Sequence, residues 1–334
     1  MKILIVTGIY PPNIGGPAQY AKNLKEIWQK NGNKVKVLSY KFEKWLPIII
    51  RHKLFFLRTL FSLKGVDFVF GLDTFSTAWP ALCAAKIWNK KMIIRTGGDF
   101  LWEGYVERTG DLVLLKNFYG ISREKWNIKE QIIFKLIRWT LRSVDILMFS
   151  TEWQRNIFVP AYEIDINKTR IVENYYGEKL LSNEPKGKNF IAGGRPLKGK
   201  NSDRVKLAFE KAKIVNPKLI YDDTTTSHNR FIEKIQNSYA VILASLSDIS
   251  PNTILDAIRC NKPFILTCEC GLSDKLKDIA VFVDPENVDD ITEKILWLSD
   301  STNYEEYKNK IKAFNFTHSW EEIGKEIIKI YEQS

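Results

Sequence analysis

Short apolar runs and longer amphipathic runs alternate along the whole chain, and this alternation restricts the possible folds more than any other feature. Near the start, strand-like Lys2 to Thr7 and Lys34 to Ser39 enclose helix-like Pro17 to Asn31. Parallel strands need such a crossover between them, because a tight hairpin can join only antiparallel strands. We therefore predict an α/β architecture of parallel sheets with helices on both faces.

The polar segment Leu181 to Asn189 interrupts the alternation and has the composition of a linker. The alternation begins again at Phe190, and 334 residues suffice for two domains. We expect an N-terminal domain over residues 1–182 and a C-terminal domain over residues 183–316. Residues 317–334 contain an amphipathic helix, which we expect to pack back on the first domain.

Composition and charge narrow the class of protein. The chain is 45% hydrophobic, which permits a large core, and its net charge of +11 favours nucleic acid, anionic lipid or a phosphorylated substrate as partner. Cys268 and Cys270 have no second close pair, so we expect reduced thiols rather than a zinc site. Neither a signal peptide nor an apolar stretch of membrane-spanning length is recognisable, which predicts a cytoplasmic protein.

The stretch Asp248 to Asp256 begins and ends with an acid and has a predicted helix start between them. Ser250 and Pro251 suit the N-cap and the first helical position. The amides of Asn252 and Thr253 would then lack intrahelical acceptors and could bind an anion at the positive end of the helix dipole. Amides for phosphate and carboxylates for hydroxyls are what a nucleotide-sugar requires, although ordinary capping would also explain the acids.

Four stretches together resemble the retaining family 4 glycosyltransferases, also called group 1, which have the GT-B fold. They are Thr7 to Ala18 with its glycine pair, Gly194 to Asn201 with a Gly-Arg and Lys motif, Asp248 to Pro263 with the two acids, and Val281 to Pro285 followed by the helix start at Ser319 to Glu321. The resemblance covers most of the chain. It implies two Rossmann-like parallel-sheet domains that face a central cleft. As a departure from the family, we expect the C-terminal domain of this chain to be one βα unit short.

The resemblance also implies that the second domain binds a nucleoside diphosphate sugar, such as a UDP- or GDP-sugar. Arg195 and Lys200 would bind the donor diphosphate and neutralise the leaving group, with Lys198 as a rival for the lysine role. Asp256 would hold the ribose hydroxyls, and Asp248 would face the donor sugar.

On the first domain the same resemblance points to two groups of residues. Gly15 and Gly16 would let the backbone approach the donor, although a glycine pair is as typical of a plain turn. Asp99 stands near the place where many family members have a histidine and would orient or deprotonate the acceptor hydroxyl; a loop-capping aspartate is the alternative. Trp102 and Glu103 would lie beside the acceptor. The implied reaction transfers the sugar to a hydroxyl of a glycan or lipid-linked acceptor with retention and needs no metal.

Departures from the family pattern leave a second function open. Both motif acids are Asp where the family usually has Glu, Pro251 replaces the usual glycine, and no histidine follows the expected strand. A catalytically inactive nucleotide-sugar-binding or scaffold protein of the same fold is therefore the alternative. A dinucleotide oxidoreductase is disfavoured, because no Gly-x-Gly-x-x-Gly follows the first strand.

The stretch Lys41 to Lys64 interleaves aromatic and aliphatic residues with six Lys or Arg residues and a single acid, Glu43. At helical spacing this composition suits the surface of an anionic membrane, and it suits a core helix with a solvated basic face about as well. A lipid-linked acceptor would explain a membrane-facing stretch. Nucleic acid is not expected as a partner, because no zinc finger, single-strand stacking motif or recognition helix is recognisable.

Overall fold

The computed structural model describes residues 1–13, 15–193 and 197–334, except for the side chain of Phe42. The chain divides into two compact units. Unit 1 consists of residues 1–102, 122–175 and 318–334, and unit 2 consists of residues 103–121 and 176–317. Residues 103–121 lie within the N-terminal domain predicted over residues 1–182, yet they pack as part of unit 2.

Each unit is built on one parallel sheet. Among the described residues, the strands of unit 1 are β1 (Lys2–Thr7), β2 (Lys34–Ser39), β3 (Phe68–Gly71), β4 (Lys91–Arg95), β5 (Ile146–Phe149) and β6 (Thr169–Ile171). Those of unit 2 are β7 (Lys188–Ala192), β8 (Leu219–Asp222), β9 (Ala240–Leu243), β10 (Phe264–Thr267) and β11 (Val281–Val283). The orders are β2-β1-β3-β4-β5-β6 and β11-β10-β9-β7-β8. The predicted parallel α/β architecture is confirmed.

Helices occupy the connections between the strands and the end of the chain. Within the described residues they are α1 (Gly16–Lys30), α2 (Ile48–Ser62), α3 (Ala78–Ile87), α4 (Phe100–Thr109), α5 (Leu115–Ile121), α6 (Ile128–Ser143), α7 (Glu152–Tyr162), α8 (Ser202–Val215), α9 (His228–Asn237), α10 (Asn252–Arg259), α11 (Ser273–Leu276), α12 (Val288–Leu298), α13 (Ser301–Ala313) and α14 (Trp320–Glu332). None of these helices combines the length and the apolar character that crossing a membrane requires.

In unit 1, α1 and α14 pack together over the first strands. Trp28 of α1 is fully buried and meets Phe68 and Phe70 edge-on. Its indole N–H donates to the carbonyl of Gly324 on α14 at 3.0 Å. The last helix of the chain is therefore held in unit 1 by a buried aromatic contact and a buried hydrogen bond.

In unit 2, both faces of the sheet are covered, as expected for a parallel sheet. Successive residues of β9 point to opposite faces. Val241 and Leu243 belong to one hydrophobic cluster, and Ala240 and Ile242 belong to another. The central strand is thus buried on both sides, which fixes where its carboxyl end emerges.

Each sheet has one point at which the order of strands reverses. In unit 1, β1 lies between β2 and β3, and in unit 2, β7 lies between β8 and β9. Open parallel sheets bind ligands beyond the carboxyl ends of the strands at such a switch point. The loops after β1 and β3, and those after β7 and β9, are therefore the places where the fold itself predicts a site.

Candidate active site

Lys200 and Asp248 meet at the switch point of unit 2. Lys200 ends a short 3-10 turn after β7, and Asp248 lies in the loop after β9. The Lys200 ammonium nitrogen is 2.8 Å from Asp248 Oδ2, and the two side chains are 30% and 13% exposed. Two residues that the sequence places 48 positions apart thus form one charged pair at the carboxyl edge of the sheet.

The loop that carries Lys200 is fixed by Asn201. Asn201 is buried in the left-handed region at φ 62°, where asparagine is tolerated better than most residues. Its side-chain amide donates to the carbonyls of Ala244 at 2.9 Å and Pro285 at 2.7 Å. The backbone N–H of Leu246 also donates to the Gly199 carbonyl at 2.9 Å. The loops after β7, β9 and β11 are therefore held in one arrangement.

Asp248 is fixed through its backbone. Its N–H donates to the carbonyl of Glu269 at 2.9 Å, and its own carbonyl accepts from the N–H of Gly271 at 3.0 Å, which makes a parallel bridge across from Cys270. The carboxylate is consequently presented by a rigid segment rather than by a free loop.

Lys198, the rival of Lys200 for the lysine role, has a different partner. Lys198 is engaged with Glu107: its backbone N–H donates to Glu107 Oε1 at 2.6 Å, and its ammonium donates to the Glu107 carbonyl at 2.9 Å. Lys200, not Lys198, therefore faces Asp248. Arg195, the predicted partner of the donor diphosphate, lies outside the described residues.

The predicted start of α10 is wrong by one residue. Pro251, not Ser250, occupies the N-cap, and the helix begins at Asn252. The reason is that the Pro251 carbonyl accepts from the amides of Ile254 and Leu255 at 2.9 and 3.0 Å. The Ser250 hydroxyl does not cap the helix; it is buried and has no hydrogen-bond partner among the described residues. The amides of Asn252 and Thr253 stand at the helix start, where intrahelical acceptors are missing.

Asp256, the predicted ribose ligand, is on α10 with its side chain 14% exposed. Its Oδ1 accepts from the Arg259 guanidinium at 3.1 Å, and its Oδ2 is 3.6 Å from His228 Nε2. Burial raises the pKa of this carboxyl above its ordinary value, against the opposing effect of the His228 and Arg259 charges. The ribose role stays a prediction.

Sequence reasoning missed a second acid at this edge. Glu269 follows β10, is buried, and forms an ion pair with Lys116 of α5. The hydrogen bond from Lys116 to Glu269 raises the pKa of that lysine. The only sequence signal is a charged residue directly after a strand, which is too common to single it out.

In unit 1, the predicted glycine pair lies after β1 at the switch point and starts α1. Gly15 is the N-cap of α1, and a Cβ there would lie 2.6 Å from Ile9 Cδ1. A Cβ at Gly16 would have no heavy atom within 4 Å. Gly15 also has φ 157°, a backbone conformation that L side chains rarely adopt, so glycine is favoured at position 15, whereas the packing within the protein gives no reason for one at position 16.

Asp99 follows β4 and is 3% exposed. Its Oδ1 accepts from the backbone N–H groups of Leu101 and Trp102, both at 3.0 Å, so it caps the start of α4. This geometry supports the capping alternative, and the acceptor role stays a prediction. Trp102 is buried at the end of the first segment of unit 1, whereas Glu103 begins the part of α4 that belongs to unit 2.

The basic, apolar stretch Lys41 to Lys64 contains α2 in unit 1. Trp45 and Phe61 are each 80% exposed, and Ile49 is 68% exposed, whereas Phe55 is fully buried. The stretch is thus a packed helix that keeps several large apolar residues in solvent. No group of three or more His, Cys, Asp or Glu residues that could hold a metal occurs among the described residues; the predicted independence from metal stays a prediction.

Known proteins resemble both the C-terminal part of the chain and its whole fold. The family Glycosyl transferases group 1 matches residues 177–314. No curated protein sequence matches the chain. Sucrose-phosphate synthase from Thermosynechococcus elongatus superposes with a TM-score of 0.72 at 12% identity, over 99% of this chain and 98% of that chain.

Two further solved structures share the fold over the full length of both chains. WaaG, a glycosyltransferase involved in lipopolysaccharide biosynthesis, has a TM-score of 0.68 at 12% identity and covers 100% of each chain. HepE from Anabaena, in complex with UDP, has a TM-score of 0.67 at 10% identity and also covers 100% of each.

The two-sheet architecture and these matches define the class of fold: the chain has the GT-B fold. The match to the family Glycosyl transferases group 1 covers residues 177–314, which lie within unit 2. The predicted fold is confirmed, and the match over residues 177–314 agrees with the predicted family.

Proposed function

We propose that this protein is a glycosyltransferase that moves a sugar from a nucleoside diphosphate sugar to a hydroxyl of a glycan or lipid-linked acceptor, with retention at the anomeric carbon. The observation that carries the proposal is the Lys200–Asp248 pair at the switch point of unit 2. In the reaction the bond from the anomeric carbon to the diphosphate breaks, a bond to the acceptor oxygen forms, and the hydroxyl proton leaves to a base or to the departing diphosphate. The protein would act by positioning both substrates and by stabilising the leaving negative charge.

The donor diphosphate would replace Asp248 as the partner of Lys200. Their ion pair is partly exposed, so it contributes about 0–1 kcal/mol and does not lock the lysine in place. A diphosphate offers more charge and more acceptor oxygens than one carboxylate. Asp248 would then be released to face hydroxyls of the donor sugar, which is the role that the family resemblance implies.

Further groups at the same edge suit the rest of the donor. The amides of Asn252 and Thr253, at the start of α10, can donate to phosphate oxygens. The Asp256 carboxylate can accept from ribose hydroxyls, and Arg195 would add a second cation. HepE, which was solved with UDP, supports a nucleoside diphosphate as the ligand of this fold.

For the acceptor side, we propose that Asp99 orients or deprotonates the acceptor hydroxyl, next to Trp102 and Glu103. Asp99→Asn and Asp99→Ala separate this role from capping. Asparagine caps helices about as well as aspartate but cannot act as a base, whereas alanine does neither. A transfer rate that falls in both variants, with stability lost only in Asp99→Ala, supports the chemical role. Full activity of Asp99→Asn would show that Asp99 serves only to cap the start of α4.

We also propose that the exposed apolar residues of Lys41 to Lys64, together with their basic neighbours, bind an anionic membrane surface. Sedimentation with vesicles tests this directly. We expect binding to phosphatidylglycerol vesicles at low salt, a loss at high salt, and weaker binding of Trp45→Ser. Equal sedimentation with neutral phosphatidylcholine vesicles would contradict the electrostatic part of the proposal.

The donor assignment is tested by thermal shift with UDP-glucose, GDP-mannose and the free nucleotides. A ligand at a hundred times its Kd stabilises by about 2.7 kcal/mol, which raises Tm by about 4 °C in a chain of this size. An unchanged Tm with every donor would contradict the proposal. The alternative, an inactive scaffold of the same fold, predicts nucleotide binding without hydrolysis or transfer. Turnover by the wild type that is lost in Arg195→Ala would exclude that alternative.

A further inference from the structure

A second cavity, separate from the donor residues, lies in unit 1 between α2, α3 and α6. Its volume is about 690 Å³, and its wall includes Ile49, Phe56, Trp79, Cys83, Ile132 and Leu136. We call it the apolar pocket. Sites for small ligands have about 300–1,000 Å³, so the cavity is large enough for a substrate-sized molecule.

The interior of the apolar pocket carries no charge. His52 lines the cavity, is buried and packs edge-on against Phe75 and Trp79 at 5.1 and 5.4 Å. Burial, reinforced by the charge of Arg51, lowers the pKa of His52, so its imidazole is neutral at neutral pH. A hydrocarbon would therefore meet only apolar groups and a neutral ring inside.

The rim of the apolar pocket combines exposed isoleucines with cations. Ile49 is 68% exposed and Ile128 is 77% exposed, although both line the cavity. Lys53 and Lys129 line the same cavity and are exposed, and no acidic partner of either is found among the described residues. An apolar interior with two uncompensated positive charges at its mouth is complementary to a hydrocarbon chain that ends in a phosphate.

The apolar pocket also adjoins the predicted acceptor residue. Phe75 lines the cavity and contacts Phe100, with 5.6 Å between the ring centroids. Phe100 is the chain neighbour of Asp99, which follows the carboxyl end of β4. One wall of the cavity is thus continuous with the edge of the sheet where we expect the acceptor hydroxyl.

We propose that the apolar pocket binds the hydrocarbon chain of a lipid-linked acceptor, with the lipid phosphate at Lys53 and Lys129 and the saccharide end towards Phe100 and Asp99. This inference rests on the proposed function, and it narrows the acceptor from any glycan to one carried on a lipid phosphate. A cavity of this volume holds a single hydrocarbon chain. The proposal therefore differs from binding to a bilayer surface, which requires no cavity.

Isothermal titration calorimetry with dodecyl phosphate below its micelle concentration tests the pocket, with inorganic phosphate as the headgroup control. We expect dodecyl phosphate to bind with a negative heat-capacity change and inorganic phosphate to bind far more weakly. Cys83→Trp places a large side chain in the cavity and should weaken the binding of dodecyl phosphate at least about ten-fold. The matched control is Ile166→Trp, which adds the same side chain at a position of unit 1 that is exposed and does not line the cavity.

A second set of variants keeps the test independent of how Cys83→Trp folds. Ile132→Asp puts a charge at the half-exposed rim and should also weaken dodecyl phosphate, whereas the pair Lys53→Gln and Lys129→Gln should weaken dodecyl phosphate more than dodecanol. Unchanged binding in Cys83→Trp and Ile132→Asp, or no binding by the wild type, would overturn the proposal. The proposal would also be overturned if the wild type is a dimer that Cys83→Trp or Ile132→Asp dissociates. The apolar pocket would then be covered by a second copy of the chain.

The titration contains no nucleotide-sugar, so it separates the two proposals. If the wild type binds no dodecyl phosphate but shows a clear donor-induced rise in Tm, only the proposed lipid site in the apolar pocket is contradicted. Lipid binding without any donor-induced change contradicts the proposed function and leaves the pocket as a lipid site. Transfer to a polyprenyl-phosphate-linked sugar with a KM at least about ten-fold higher in Cys83→Trp would connect the two.

Discussion

Lys200 Nζ lies 2.8 Å from Asp248 Oδ2, so the residue expected to bind the donor phosphates is paired with the residue expected to face the donor sugar. Both come from loops that Asn201 and a backbone bridge hold in place. Such a pair keeps a lysine and a carboxylate oriented until a stronger anion arrives. On donor binding, the diphosphate would replace the Asp248 carboxylate as the partner of Lys200, in loops that are already in place.

Removing the Lys200 charge should weaken donor binding far more than removing that of Lys198. Lys200→Met deletes a charge-assisted contact to the diphosphate, and we expect about ten- to hundred-fold weaker binding of the nucleoside diphosphate. Lys198→Met, in the same 3-10 turn, is the matched control, because that lysine is engaged with Glu107. Calorimetric titration of both variants with UDP and GDP measures the difference; equal losses in the two variants would contradict the assignment.

The strands were largely predictable from sequence, whereas several helices and the site contacts were not. β1 and β2 have the predicted bounds: β1 is a buried, nearly continuous apolar run, and β2, at the edge of the sheet, alternates lysine with valine. α3 was not predicted, because its sequence is apolar on nearly all sides and lacks a helical period. The ion pair between Lys116 and Glu269 joins residues 153 positions apart, and no local pattern encodes such a partner.

Asn201 and Asn261 share a left-handed backbone, which allows a matched test of loop bracing. Both have positive φ, at 62° and 50°. Asn201 donates two buried hydrogen bonds, whereas Asn261 Oδ1 has no partner among the described residues. Since glycine tolerates this backbone, Asn201→Gly should cost about 1–3 kcal/mol of unfolding free energy and Asn261→Gly at most about 0.5 kcal/mol. Urea denaturation measures both.

If the bracing by Asn201 matters for function, Asn201→Gly should also raise the KM for the donor at temperatures where the variant is fully folded. Asn261→Gly should leave that KM unchanged. A destabilised Asn201→Gly with a wild-type KM would show that the loop keeps its shape without these two hydrogen bonds.

Asp256→Asn should separate stability from nucleotide binding. Burial raises the pKa of Asp256 above its ordinary 3.8, so the folded state holds this proton more tightly than the unfolded state does. As pH rises from 3.8 through the raised value, the unfolded state loses its proton first, and the wild type loses stability. At neutral pH the asparagine variant should therefore melt higher than the wild type, and the gap should narrow as pH falls towards 3.8.

The same substitution should weaken nucleotide binding by about ten-fold, because an amide oxygen cannot accept from two ribose hydroxyls as a carboxylate can. Melting curves across this pH range and nucleotide titration at neutral pH provide the two measurements. A variant that melts higher and binds as well as the wild type would remove Asp256 from the ribose site. A variant that melts lower at neutral pH would show that the attraction of the Asp256 carboxylate to Arg259 and His228 outweighs the cost of burying its charge.

Gly15 and Gly16 should respond differently to the same added methyl group. At Gly15 φ is 157°, which L side chains rarely adopt, and a Cβ would also displace the end of the Ile9 side chain, so Gly15→Ala should cost about 1–3 kcal/mol of unfolding free energy. At Gly16, the first residue of α1, a Cβ meets no atom, and Gly16→Ala should be neutral or stabilising by up to about 1 kcal/mol. If the donor approaches this backbone, as the family resemblance implies, the stable Gly16→Ala should nevertheless bind the nucleotide-sugar more weakly. A Gly16→Ala protein with unchanged donor affinity would make the second glycine a helix-start residue only.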